Sequence, residues 1–234
     1  MELKGKIAVV TGVSKGIGLA TVEALLEKGA KVAGWGRTKP DLEHQNFHFF
    51  ECDVRHHESV QQAFDNTIAT LGKPIQVLVN NAGLGIAGLL EDMSLDDWHT
   101  MFETNVNGIF YCTRLVVLGM KEMGEGHIIN ISSIAGTTGV AQMSGYCGTK
   151  HAVRGISHSL YKEVRDYGVK VTCIYPGSVN TSFFDNIDTV TVSDNMMRPQ
   201  DIASTILHAL ESHPNYHQVD IEVRPLMPKG RKQK

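Results

Sequence analysis

The sequence predicts an α/β fold in which about seven parallel strands form one doubly wound sheet with helices on both faces. Three observations point there: short apolar runs rich in β-branched residues recur along the chain, amphipathic stretches of helical length separate them, and a glycine-rich turn follows the first run. Most of the runs lack polar alternation, which is the pattern of strands buried on both faces of a parallel sheet. Strands alternating with helices in this way give a doubly wound sheet with right-handed connections.

The elements follow in order. KIAVVT (6–11) is the first strand and leads into a helix over 17–28. KVAGW (31–35) and FHFFEC (47–52) are the next two strands, followed by a helix over 56–71. IQVLVN (75–80) precedes one long helical pattern over 95–121, which Ser94 opens as an N-cap ahead of Leu95, Asp96 and Asp97. HIINIS (127–132), a helix over 144–167 and KVTCIY (170–175) come next. A helix over 200–212, with Pro199 suited to its start, and VDIEVR (219–224) complete the set.

With 234 residues, 42% of them hydrophobic, and 7 prolines, the chain can bury one substantial core. A single domain over 1–227 is expected, with the basic tail PKGRKQK (228–234) as a solvated, frayed end. Lys and Arg total 22 against 25 Asp and Glu, and the net charge of −3 argues against a nucleic-acid binder driven by phosphate contacts. Small molecules or proteins are the expected partners. Cys52, Cys112, Cys147 and Cys173 form no CxxC pair and read as free thiols in a reducing compartment. No leader-like apolar segment or membrane-length run is present, so a cytoplasmic protein without a membrane span is expected. His56 and His57 are too close to chelate one metal from a helix, His44 and His48 share no helical face, and HExxH does not occur, so no metal is predicted. Cys147 reads as a small buried residue, and Trp98, Met101 and Phe102 as helix packing.

Four segments carry chemistry. TGVSKGIG (11–18) follows the first strand, with glycines at 12, 16 and 18. Glycines there permit a tight turn and close backbone approach, and the helix that opens near Ile17 aims its free N–H groups at a pyrophosphate. NNAG (80–83) ends the fourth strand at the carboxyl edge of the sheet, where such folds bind ligands; Asn80 and Asn81 are suited to bonding backbone groups of adjoining strands, and Ala82 and Gly83 leave room for a flat ligand. NISSIAG (130–136) places Ser132 and Ser133 at the end of the fifth strand, and YCGTK sets Tyr146 and Lys150 four apart. On a helix that spacing puts phenol and ammonium on one face, where Lys⁺ is expected to depress the tyrosine pKa and make it a proton donor and acceptor.

Together with Asn105 and PGSVNT (176–181), these motifs resemble those of the short-chain dehydrogenase/reductase family, over about residues 4–225 and in the family's order. The resemblance implies a Rossmann-like fold and hydride transfer between a nicotinamide cofactor and a carbonyl or secondary alcohol. Of the two serines it selects Ser133, thirteen residues before Tyr146. It implies that Tyr146 exchanges a proton with the substrate oxygen, Ser133 donates a hydrogen bond to that oxygen, Lys150 bonds the nicotinamide ribose, and Asn105 holds a water linking Lys150 to solvent. The cofactor-binding residues it implies are Gly12, Ser14, Lys15, Gly16, Ile17 and Gly18 in the turn, Arg37 after the second strand, and Asp53 and Val54 after the third, Asp53 at the adenine. Asn81, Ala82, Gly83, Tyr146, Lys150, Val179 and Thr181 complete that set.

The residues after the second strand bear on which cofactor is preferred. NAD is held by an acid near its ribose hydroxyls, but here Gly36 is followed by Arg37. Arg37 supplies a planar fork suited to phosphate, and the resemblance places Lys15 near the same group, so the expected cofactor is NADP(H). Phe183, Phe184, Met196 and Met197, between Thr181 and Pro199, are candidates to cover a small substrate or to pack beneath a lid. The resemblance extends to small 3-hydroxy acids as substrates and to a homo-oligomer, tetramer or dimer. A 3-oxoacyl-[acyl-carrier-protein] reductase and a non-catalytic NADP(H) sensor are the other readings, the latter disfavoured because all four catalytic side chains are present.

Overall fold

The computed structural model describes residues 1–181, 183, 193 and 195–228. Its seven strands are β1 (Ile7–Thr11), β2 (Lys31–Gly36), β3 (Phe47–Glu51), β4 (Val77–Asn80), β5 (Gly126–Ile131), β6 (Val169–Pro176) and β7 (Asp220–Val223). They form one sheet in the order β3-β2-β1-β4-β5-β6-β7, with every pairing parallel. The order reverses between β1 and β4, so the crevice for a ligand opens beyond the carboxyl ends of those two strands.

The helices are α1 (Gly16–Glu27), α2 (His57–Leu71), α3 (Leu95–Phe102), α4 (Gly108–Met123), α5 (Ser144–Val164) and α6 (Pro199–Glu211). Alternate residues of each strand feed two different cores. Ala8 and Val10 of β1 pack with Val22 and Leu25 of α1 and Ile202 and Ile206 of α6. Val9 and Ile7 face the other way, onto Val60 of α2, Val116 and Met120 of α4 and Val164 of α5. Both faces are therefore apolar, which is why the strands show no polar alternation.

The pattern over 95–121 is not one uninterrupted helix. A π turn over Glu103–Asn107 separates α3 from α4. The extra residue in that turn lets Thr104 and Asn105 both point inward and be buried. Gly108 begins α4 against Val54, where a Cβ would come within 2.9 Å of that side chain. Elsewhere the strand and helix bounds lie within two residues of those expected, except that α5 ends at Val164, where a 3-10 turn over Arg165–Tyr167 takes the place of the last expected residues; Pro199 is the first residue of α6.

Two buried polar systems cross the sheet. Asn80 of β4 lies in register with Asn130 of β5 and donates from Nδ2 to the Asn130 Oδ1 at 2.8 Å and to Thr113 of α4 at 3.2 Å. Asn130 in turn donates to Ser157 of α5 at 2.9 Å. Asn80 was expected to bond backbone groups; its side chain instead stands out of the sheet beneath α4 and α5, the ladder having taken the backbone groups. In the second system His127 of β5 meets Thr172 of β6 at 2.8 Å, and Thr172 donates its hydroxyl proton to Gln218 O at 2.6 Å. The His127 Nε2 must therefore be the donor, which leaves Nδ1 an acceptor, buried and without a partner among the described residues.

Candidate active site

The glycine turn and the NNAG segment are one hydrogen-bonded unit. Asn81 donates from Nδ2 to Thr11 O at 2.9 Å and Gly12 O at 3.1 Å. The Thr11 hydroxyl accepts in return from the backbone N–H of Asn81 and Ala82, at 3.0 and 2.9 Å. Gly12 and Gly16 adopt φ of +71° and +64°, conformations that glycine takes without strain. A Cβ at Gly18 would lie 2.2 Å from Gly12 O and 2.5 Å from Asn81 Nδ2. Lys15 caps α1 without a side-chain hydrogen bond, so the first N–H groups of the helix point outward with no side-chain cap.

This unit forms one wall of a cleft of about 640 Å³. Of the residues expected at the cofactor, all line the cleft except Gly18, which is buried behind the turn. Arg37 and Lys15 are exposed at the rim. Gly36 is the last residue of β2, and a Cβ there would meet nothing closer than Val13 at 3.6 Å and Phe49 at 3.7 Å. A Cβ at position 36 would thus make only ordinary van der Waals contacts.

Asp53, the residue expected at the adenine, pairs through its carboxylate within the chain. Arg55, which the sequence reading did not single out, donates from Nε to Oδ1 at 3.0 Å and from Nη2 to Oδ2 at 2.6 Å. The Arg55 guanidinium holds the Asp53 carboxyl below its usual range, with a smaller contribution from Arg37. An arginine two residues beyond an acid, at the strand end next to that of β2, was the available signal.

At the other end of the cleft Ser133 opens a 3-10 turn, its Oγ accepting from Ala135 N at 3.1 Å. Ser132 donates to Lys150 O at 3.0 Å and so ties the end of β5 to α5. Tyr146 and Lys150 lie one turn apart on α5, both buried, with the ammonium 5.7 Å from the phenol ring centre. The expected depression of the Tyr146 pKa is not found: burial pushes the phenol up to about 12, and the Ser133 hydroxyl pulls it back only in part. Lys150 aims its Nζ at Ile131 O, 2.9 Å away, and burial lowers it to about 8.

Asn105 does not line the cleft. Its Nδ2 donates to Leu84 O at 2.8 Å and to Thr149 Oγ1 at 3.0 Å, while Oδ1 accepts from Leu84 N at 2.9 Å. It thereby pins both backbone groups of Leu84 beside Gly83, where a Cβ would lie 3.1 Å from Asn105 Oδ1 and 3.4 Å from Lys150 Nζ. Phe183 sets its ring 5.4 Å from that of Tyr146. Met197 pairs with Val179 and packs on the α1 and α6 core, Met196 is half-buried, and Phe184 lies outside the described residues. Trp98 stacks on Phe102 at 4.9 Å, and Cys147 is buried with Met101 and Met143.

The model of the short chain dehydrogenase family matches residues 6–191. The chain belongs to the short-chain dehydrogenase family. Accordingly it is an oxidoreductase acting between CH–OH and C=O groups. It is 35% identical to an uncharacterized oxidoreductase of Staphylococcus aureus strain MRSA252, over 96% of this chain and 99% of the relative. A Staphylococcus haemolyticus oxidoreductase, also uncharacterized, is 31% identical over the same shares. Among solved structures, the closed form of serine dehydrogenase complexed with NADP+ superposes with a TM-score of 0.87 at 30% identity, covering 97% of this chain and 98% of the other. The Thermococcus sibiricus alcohol dehydrogenase complexed with 5-hydroxy-NADP gives a TM-score of 0.84 at 25% identity, covering 98% and 99%. Short-chain dehydrogenases thus share the whole architecture described here, from the first strand to the last.

Proposed function

We propose that the chain is an NADP(H)-dependent oxidoreductase that interconverts a small, uncharged carbonyl compound and its secondary alcohol. The observation that carries the cofactor assignment is the charge at the rim: Arg37 directly after β2 and Lys15 ahead of α1, with a glycine and no carboxylate at position 36. The cradle suits a dinucleotide, since Gly12 and Gly16 line the cleft at positive φ and the first N–H groups of α1 carry no side-chain cap. When bound, the nicotinamide supplies or accepts the hydride.

The chain's own residues move the proton. Tyr146 is neutral near pH 7, its phenol being held up to about 12, and so carries the proton the substrate oxygen needs on reduction. Ser133 donates to the same oxygen, where negative charge develops. Lys150 sits one turn away, its ammonium 5.7 Å from the phenol ring centre, and Asn105 fixes the Leu84 backbone that walls the site.

The substrate end is lined by Leu84, Ala135, Val140, Met143 and Phe183. Its cation, Lys150, is turned to Ile131 O, and residues 182–197 contain no Lys, Arg or His. Nothing in this set offers a carboxylate a cationic partner, which favours neutral carbonyls over 3-hydroxy acids. A homo-oligomer and a cytoplasmic setting belong to the same proposal and rest on the family; light scattering tests the former.

A panel of neutral ketones and aldehydes, 3-hydroxy acids and 3-oxoacyl thioesters, followed by NADPH absorbance, should give turnover with the first group, and turnover confined to either of the others overturns the substrate assignment. Quenching of intrinsic fluorescence should show tighter NADPH than NADH binding; the reverse order overturns the cofactor assignment. Tyr146→Phe should lower kcat by roughly 10²–10⁴ with NADPH affinity unchanged. Full activity in that variant would sink the mechanism.

A further inference from the structure

Among the described residues that line the cleft, Lys15, Arg37, Arg55 and Lys150 are the cations and Asp53 is the single carboxylate. Asp53 follows β3, which pairs in parallel with β2, so it lies at the strand end next to the one bearing Gly36 and Arg37. Left free, a carboxylate there would draw Arg37 to itself and place negative charge where a 2′-phosphate must sit. It is not free. Arg55 reaches both oxygens with its fork, and its backbone N–H adds a further bond to Oδ1 at 3.1 Å. Neither Lys15 nor Arg37 forms an ion pair among the described residues, so both keep their charge for a ligand.

We infer that Arg55 is a specificity-determining positioning residue: by neutralising Asp53 it keeps the adenosine end of the cleft positive and so favours a 2′-phosphorylated cofactor over one with a free 2′-hydroxyl. The inference rests on the NADP(H) reading. Arg55 acts through Asp53, and its removal penalises the phosphate in particular. An arginine that served only as a platform for adenine would affect both cofactors alike.

The test is titration calorimetry of the full chain with 2′,5′-ADP and 5′-AMP, repeated with NADPH and NADH. Arg55→Ala should weaken 2′,5′-ADP and NADPH about fivefold, the order of one exposed charge pair, and leave 5′-AMP and NADH within about twofold. Arg55→Lys should hold the wild-type ratio, and Arg55→Ala combined with Asp53→Asn should restore it. Asp53→Asn alone, which keeps the arginine charge, should tighten 2′,5′-ADP. Equal losses for both members of each pair, or a ratio that Asp53→Asn does not restore, overturns the inference. A wild-type protein that prefers NADH would instead overturn the NADP(H) reading, and that outcome is read without any substitution.

Discussion

Replacing Lys150 by methionine should stabilise the cofactor-free protein while abolishing turnover. The ammonium is buried, has one hydrogen-bond partner among the described residues, Ile131 O, and is held down to about 8 from an ordinary 10.5. At ~1.4 kcal/mol for each tenfold change in proton affinity, keeping it charged at neutral pH costs ~3 kcal/mol. Methionine fills a similar volume but leaves the Ile131 carbonyl unpaired, which returns ~1–3 kcal/mol of that gain. The net expectation is ~0–2 kcal/mol, or a Tm higher by up to about 8 °C in a chain of this size. The sign follows from linkage. A base whose folded pKa lies below its unfolded one makes stability rise with pH between the two values, here from about 8 to 10.5. The advantage of Lys150→Met should therefore be full below pH 8 and shrink as pH approaches 10.5. Urea unfolding of the two cofactor-free proteins at pH 7 and pH 9.5 measures both features. A variant less stable than wild type at pH 7, or a gap that does not change with pH, would refute the reasoning.

Gly36→Asp should fold normally, because its Cβ meets only ordinary contacts, yet weaken NADPH by about tenfold or more and tighten NADH; unchanged NADPH affinity in calorimetry would count against the assignment of Arg37. His127 titrates well below its ordinary range because it is buried, with His217 and Lys170 adding to the effect. As pH falls below 6.5 the unfolded chain takes up a proton that the folded one refuses, so stability should drop by up to ~1.4 kcal/mol per pH unit for this group. His127→Gln should flatten that acid slope in urea unfolding, and identical slopes would show that the group is not responsible.

The sheet was legible because its strands are apolar on both faces and its helices carry a different period, so KIAVV and HIINI announce themselves without context. The site was legible where a residue type has few alternatives: Gly12 and Gly16 at positive φ, and Tyr146 and Lys150 on one helical face. What escaped depends on three-dimensional surroundings. Spacing told that Lys150 would sit near Tyr146 but not that both would be buried, and burial decides the direction of the phenol's shift. The π turn adds one residue to a long apolar stripe, too small a change in period to read around Asn105. Arg55 was passed over because the orientation of a long side chain is not written in its position, and its pairing with Asp53 was unread for the same reason.

The line of amides running from Asn80 through Asn130 to Ser157 has a consequence for how the chain finds its fold. If β5 slid by one residue along β4, the Asn130 side chain would turn to the opposite face and Asn80 would face an isoleucine, Ile129 or Ile131. Buried amides would then be stranded in hydrocarbon, at ~1–3 kcal/mol each. The aliphatic neighbours along these strands, Val79, Ile129 and Ile131, tolerate such a slip far better than the asparagines do. These few polar atoms therefore proofread the pairing of the central strands, and the ends of those strands carry NNAG and Ser133 into place together.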